Sequence, residues 1–158
     1  MEQKQSRAER ATELYLSGYN CAQAVFASFC DLIGIDEKSA LMTASALGGG
    51  VSGMREVCGA VTGAALALGS LGGYCDSGDY DGKKRLYGEV QALCDKFTEK
   101  HGSIVCRELL RGIQYGRIPA VRNEEYYSSR PCAGYIFTVA SLLEDFLSDR
   151  FPNDENKL

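Results

Sequence analysis

The sequence predicts an all-α protein with a single domain, built as an irregular bundle of six or seven helices. Apolar residues recur at helical spacing along most of the chain, glycines stand where these patterns end, and no segment alternates like a strand. A chain of 158 residues is an ordinary length for one domain. We assign residues 1–150 to this domain and expect residues 151–158 to form a frayed tail.

The first half of the chain predicts four helices, and a glycine follows each of them. The predicted ranges are 7–17, 21–33, 36–47 and 55–71. Asn20 and Asp36 precede the second and third ranges, and both residue types accept hydrogen bonds well at a helix start.

One face of the fourth predicted helix lacks bulky side chains. Gly59, Gly63 and Ala67 recur every four residues, so a neighbouring backbone can approach this face closely. The contact can belong to the core of the chain or to a homodimer, and the sequence leaves both open.

The second half predicts three more helices and one long connection. The predicted helices cover residues 81–101, 103–110 and 132–147. Residues 111–131 show no sustained period and contain Gly112, Gly116 and Pro119, which predicts a loop. Its arginines and tyrosines can form a docking surface or a solvated loop, and the role of the segment stays open.

Composition and charge argue against several classes of function. With 17 Lys and Arg against 21 Asp and Glu, the net charge of −4 does not suit a nucleic-acid binder. The longest uncharged stretch, residues 57–75, includes five glycines and is too weakly apolar for a membrane span. Because the N-terminus is polar and the cysteine count of seven is odd, we expect a cytoplasmic protein with reduced thiols.

Four of the seven cysteines share one kind of position, the start of a predicted helix. They are Cys21, Cys58, Cys106 and Cys132. Free backbone N–H groups and the helix dipole stabilise negative charge there, which predicts a lowered thiol pKa and good nucleophiles or metal ligands. The other three are predicted to be structural or incidental, and they are Cys30, Cys75 and Cys94.

The spacing of these four cysteines matches no familiar metal motif. The chain has no C-x-x-C, and intervals of 37, 48 and 26 residues fit neither zinc ribbons nor ferredoxins. A joint site must therefore assemble from four separate helices.

A glycine-rich segment, residues 48–53, precedes Cys58 and matches G-x-G-x-x-G. A dinucleotide site needs a strand before this string, whereas here a helix precedes it. We interpret the segment as a tight turn between helices, or as an anion cradle beside Arg55. Because the turn and Arg55 frame Cys58, Cys58 is the predicted nucleophile.

The layout of these motifs resembles a known family. The string Cys58-Gly59-Ala60-Val61-Thr62-Gly63 follows Gly18-Tyr19-Asn20-Cys21 and precedes Cys106 and Cys132. This arrangement is similar to the C_GCAxxG_C_C family of redox-active proteins over about residues 10–147. The resemblance implies a redox role for the four cysteines and attaches no substrate; related domains look able to hold an iron–sulfur cluster.

Three uses of the four cysteines stay open. They can cycle through a disulfide without a cofactor, hold an iron–sulfur cluster for electron transfer, or bind structural zinc or a small anion without turnover. A fourth interpretation, that the cysteines only pack, predicts no shared site. We assign Gly59, Gly63 and Arg55 as residues that contact a bound group, and expect an electron-transfer or thiol partner protein.

Overall fold

The computed structural model describes residues 5–151, and within that range it contains nine α-helices and no strand. The helices are α1 (Arg7–Leu16), α2 (Cys21–Ala27), α3 (Cys30–Ile33), α4 (Glu37–Ala44), α5 (Gly59–Gly72), α6 (Tyr80–His101), α7 (Cys106–Leu109), α8 (Glu124–Ser129) and α9 (Cys132–Arg150). The all-α class and the single domain are confirmed. The predicted tail lies outside the described residues, apart from Phe151.

Helix α2 is the centre of the bundle. It packs against α1, α4, α5 and α9, and all its residues from Ala24 to Ala27 are buried. Around it, α1 lies along α9, and α5 contacts both α6 and α9. Phe26 of α2 and Phe97 of α6 are among the largest fully buried side chains. Burial of such apolar surface is the main favourable term in folding, so α2 anchors the core.

The predicted helix over residues 21–33 is instead two helices, α2 and α3. The guanidinium of Arg7, which is only 6% exposed, donates to the carbonyl oxygen of Ser28 at 2.8 Å and to Asp31 at 2.7 Å. Phe29 departs from helical geometry, with φ −113° and ψ 8°. The sequence did not predict this break, because α2 and α3 both contribute apolar residues to the same core.

Three other helix predictions needed correction. Helix α5 begins at Gly59 and not at residue 55, because Arg55 adopts a left-handed φ of 59° that no α-helix accepts. Helix α7 begins directly at Cys106 and not at residue 103. The predicted loop 111–131 contains α8, where the side chain of Asn123 caps the helix by accepting from the Tyr126 N–H at 2.9 Å.

The remaining helix predictions agree with the structure. The predicted ranges 7–17, 81–101 and 132–147 correspond to α1, α6 and α9, although α9 continues to Arg150. The predicted range 36–47 is α4 followed by a 3-10 turn over Ser45–Leu47. No helix within residues 5–151 combines the length and the apolar character needed to cross a membrane.

The small-residue face of α5 serves the core of the chain. A Cβ atom at Gly63 would lie 2.7 Å from the carbonyl oxygen of Ala22 in α2, and a Cβ atom at Gly59 would lie 3.2 Å from the Ala22 nitrogen. Ala67 is fully buried in the same helix. The predicted close approach of a neighbouring backbone is therefore made by α2 of the same chain.

We expect Gly63→Ala to lower the free energy of unfolding by about 1–3 kcal/mol, because the new methyl group meets backbone that cannot move aside. Gly69→Ala in the same helix is the matched control. Nothing lies within 4 Å of a Cβ at Gly69, so this variant should gain about 0.5–1 kcal/mol. Urea unfolding measures both, and equal effects of the two changes would contradict the tight contact.

Candidate functional site

The four cysteines predicted to share a site line one small cavity of about 40 Å³. Cys21, Cys106 and Cys132 are the first residues of α2, α7 and α9, and Cys58 immediately precedes α5. Cys58 is buried, whereas the other three keep part of their surface accessible. The fold thus brings four cysteines that are far apart in the sequence to one cavity.

Two of these positions are set by local sequence signals. The side chain of Asn20 accepts a hydrogen bond from the Gln23 N–H at 2.9 Å. The side-chain oxygen of Gln23 accepts one from the Asn20 N–H at 3.0 Å. This reciprocal cap starts α2 at Cys21. Pro131 immediately precedes α9, so Cys132 opens that helix as predicted.

A short antiparallel pairing holds Cys58 and Cys106 in place. Val57 and Val105 form an isolated β-bridge. The Cys58 N–H donates to the carbonyl of Ile104 at 2.8 Å, and the Cys106 N–H donates to the carbonyl of Glu56 at 2.6 Å. Backbone hydrogen bonds therefore join two cysteines that the sequence separates by 48 residues.

The glycine-rich turn packs against the start of α7. The chain has left-handed φ angles from Gly49 to Gly53, including 66° at Val51 and 49° at Ser52. Non-glycine residues rarely adopt such angles, and strain of this kind often lies beside functional sites. A Cβ atom at Gly50 would lie 2.7 Å from the Cβ of Cys106, so the turn can approach this cysteine only with glycine there. The predicted tight turn is confirmed.

The sulfur of Cys21 lies against the start of α5, next to Cys58. This sulfur would lie 2.5 Å from a Cβ atom at Gly59, directly after Cys58. A negative charge on Cys21 raises the pKa of Cys58, Cys106 and Cys132, although burial is the larger cause in each case. Cys132 acts in the same way, because a negative charge on it adds to the effect of burial on the pKa of Cys58.

Thiol acidity differs from the sequence-based prediction. Burial raises the pKa of Cys58, Cys106 and Cys132, in the case of Cys132 to about 11. The backbone N–H groups of Ala60 and Val61 at the start of α5 do lower the pKa of Cys58, but burial outweighs them. The prediction of lowered pKa values at these three helix starts was wrong, because it ignored desolvation.

The guanidinium of Arg55 lies beside Cys106 and not beside Cys58 as predicted. Burial raises the pKa of Cys106, and the positive charge of Arg55 opposes this increase. Arg55 has a left-handed φ of 59°, and its carbonyl accepts from the N–H of Arg107, the residue after Cys106, at 3.2 Å. The charge of Arg55 thus acts on Cys106, whereas that of Arg130 acts on both Cys106 and Cys132.

The other predicted contact residues divide between two places. Gly59 and Arg55 line the cavity, whereas Gly63 lies outside it in the contact between α5 and α2. The three cysteines predicted to be structural or incidental also lie elsewhere. Cys30 is buried in the core, Cys94 is half-buried in α6, and Cys75 is exposed.

Sequence reasoning missed Tyr15 and left Arg122 and Arg130 without an assigned role. All three line the cavity. The sequence pattern placed Tyr15 on the apolar face of the first predicted helix, with no sign of a functional role. Both arginines belong to the segment 111–131, for which a loop was predicted. The alternation of arginine and tyrosine in that segment was a signal for stacking, but nothing in the sequence directed it towards the cysteines.

All seven cysteines of the chain are free thiols. Across residues 5–151, no three His, Cys, Asp or Glu side chains are placed closely enough to hold a metal ion together.

The fold and the cavity define a helical protein with four thiols at one site. The sequence profile of the family described as "Putative redox-active protein (C_GCAxxG_C_C)" matches residues 19–146, about four fifths of the chain. The chain therefore belongs to this family, as the order of its cysteine motifs predicted. No curated protein and no solved structure matches the sequence.

We expect the free energy of unfolding to fall as the pH rises from about 8.5, the ordinary thiol pKa, towards 11. A native pKa of about 11 for Cys132 means that the unfolded chain loses this proton first, which favours unfolding at alkaline pH. Cys132→Ser should flatten this decline in urea titrations at several pH values. Cys75→Ser changes an exposed thiol and should keep the wild-type profile; an unchanged profile in Cys132→Ser would contradict the buried thiol.

We expect Arg55→Gln to slow alkylation of Cys106 several-fold, because the thiolate loses the positive charge beside it. Peptide mass spectrometry after timed iodoacetamide treatment measures the rate. Arg107→Gln removes the same charge from the residue next to Cys106, but this guanidinium pairs with Glu56 at 2.9 Å. If both variants slow the reaction equally, the specific effect of Arg55 is refuted.

Proposed function

We propose that the four cysteines form a dithiol–disulfide redox centre that exchanges electrons with a thiol partner protein. The shared cavity carries the proposal, because Cys21, Cys58, Cys106 and Cys132 all line it. A disulfide forms only between cysteines whose backbones are already close. Four free thiols that line one cavity of about 40 Å³ support such pairing.

Cys106 is the attacking thiol in this proposal, in place of the predicted Cys58. The thiolate is the reactive form, and the charge of Arg55 favours it at Cys106. Cys106 also keeps part of its surface accessible, whereas Cys58 is 7% exposed. A partner protein can reach Cys106 more readily, and Cys21 is then the resolving thiol.

The exchange proceeds in two displacements. The Cys106 thiolate attacks a disulfide sulfur of the partner, which forms a mixed disulfide and releases one partner thiolate. Cys21, after giving up its proton, attacks the Cys106 sulfur, closes a Cys21–Cys106 disulfide and releases the second partner thiolate. Two electrons pass from this protein to the partner, whose two sulfurs take up the two protons.

A second candidate is an iron–sulfur cluster, favoured by the number of thiols and by their charged surroundings. A dithiol centre needs two cysteines, whereas four line this cavity beside three arginines. Four thiols suit the cluster as donors, and guanidinium groups offset the negative charge of a thiolate-bound cluster. Cys21, Cys58, Cys106 and Cys132 would hold the cluster, which would supply one-electron transfer.

Purification without oxygen separates these candidates. The dithiol proposal predicts metal-free protein that, with oxidised glutathione, loses two free thiols from the quartet and the mass of two hydrogen atoms. Dithiothreitol should restore both thiols, and mass spectrometry of peptides locates the pair. Bound iron with visible charge-transfer bands would instead support the cluster, and colourless bound zinc would support a structural site without turnover.

Serine variants are the control for this experiment. Cys21→Ser should abolish the reversible disulfide, since it removes the proposed resolving thiol, whereas Cys75→Ser should behave as the wild type. A disulfide that still forms in Cys21→Ser, or that joins cysteines outside the quartet, would refute the redox centre as proposed.

A further inference from the structure

The cavity beside the cysteines is positively charged. Arg55, Arg122 and Arg130 line it, and no Asp, Glu, Lys or His of the described residues does so. The chain as a whole has a net charge of −4. Within residues 5–151 none of the three arginines forms an ion pair, although arginines elsewhere in the bundle do. The positive charge of the cavity is thus left unneutralised by the protein.

Three buried polar atoms at the cavity lack hydrogen-bond partners. They are the hydroxyl oxygen of Tyr15, Nε of Arg55 and Nη1 of Arg122. Tyr15 is only 2% exposed, and its hydroxyl lies near the thiol of Cys132, where it opposes the increase in pKa that burial causes. Buried donors without partners are rare because each costs about 1–3 kcal/mol. Several such donors around one cavity indicate a ligand that accepts hydrogen bonds.

Aromatic stacking holds the arginines while leaving their N–H donors available. The guanidinium of Arg122 lies 4.4 Å from the ring centroid of Tyr126 and 5.2 Å from that of Tyr15. The guanidinium of Arg130 lies over the same Tyr126 ring, 4.5 Å from its centroid. A guanidinium stacked by its face still presents its donors in the plane, in a fork that matches two anionic oxygens.

We propose that this cavity binds a small oxyanion, a carboxylate or phosphate group, through Arg55, Arg122, Arg130 and the hydroxyl of Tyr15. Its volume of about 40 Å³ has room for roughly three water-sized groups. This suffices for the oxygens of such a group, whose remainder can lie in the opening beside the part-exposed Arg122 and Arg130. Only the role of the anion rests on the proposed function, in which it would be a ligand bound next to the redox thiols.

Inorganic phosphate is the probe. The full chain is reduced by dithiothreitol in Tris buffer, and chloride keeps the ionic strength constant. The unfolding temperature should then rise with phosphate concentration and reach a plateau. Arg122→Gln and Arg130→Gln should each weaken the apparent phosphate affinity about tenfold or more, since each removes a charged donor. Arg117→Gln is the matched control, because this exposed arginine of the same segment does not line the cavity.

Tyr15→Phe keeps the test decisive if an arginine variant folds poorly. Because the buried ring stays in place, removal of the hydroxyl should change the unfolding temperature without phosphate only slightly, but should weaken phosphate binding. Equal affinity in the wild type, Arg122→Gln and Tyr15→Phe would overturn the anion site, as would equal stabilisation by chloride. Cys21→Ser should lose the disulfide chemistry and retain phosphate affinity, which separates this inference from the redox proposal.

Discussion

The pairing of Val57 with Val105 is the contact on which the arrangement of the site depends. Its flanking hydrogen bonds, from Cys58 N–H to Ile104 and from Cys106 N–H to Glu56, fix two cysteines of the quartet relative to each other. The glycine turn before it and the start of α7 after it then enclose one side of the cavity. Among the helices of the described residues, this bridge joins the segment before α5, which carries Cys58, to the segment before α7, which leads into Cys106.

Burial dominates the chemistry of the thiols. A helix terminus stabilises a charge by about 0.3–1 kcal/mol, whereas removing an ionisable group from water costs several kcal/mol. Cys58 shows both effects, since backbone N–H groups lower its pKa and burial raises it further than they can offset. Burial thus favours the protonated form of Cys58, Cys106 and Cys132, and the positive charge of Arg55 opposes this effect at Cys106.

The segment 111–131 supplies two of the three arginines of the cavity and part of its wall. It contains α8 and places Arg122 and Arg130 against Tyr126, so aromatic faces take the place of acidic partners for these guanidinium groups. A positive cavity next to thiols suits both a dithiol centre that handles an anion and a negatively charged cluster. The proposed experiments distinguish these uses through metal content, thiol pairing and phosphate binding.

The sequence by itself determined the helical class, most helix positions and the membership of Cys21, Cys58, Cys106 and Cys132 in one group, because caps, glycine stops and apolar periodicity are local signals. It could not reveal the break between α2 and α3, where the distant Arg7 donates to the carbonyl oxygen of Ser28. Only the tertiary structure decided which thiol Arg55 faces, how burial changes thiol acidity, and which tyrosines and arginines surround the cysteines. These properties depend on desolvation and on contacts between residues far apart in the chain, and neither is encoded in local spacing.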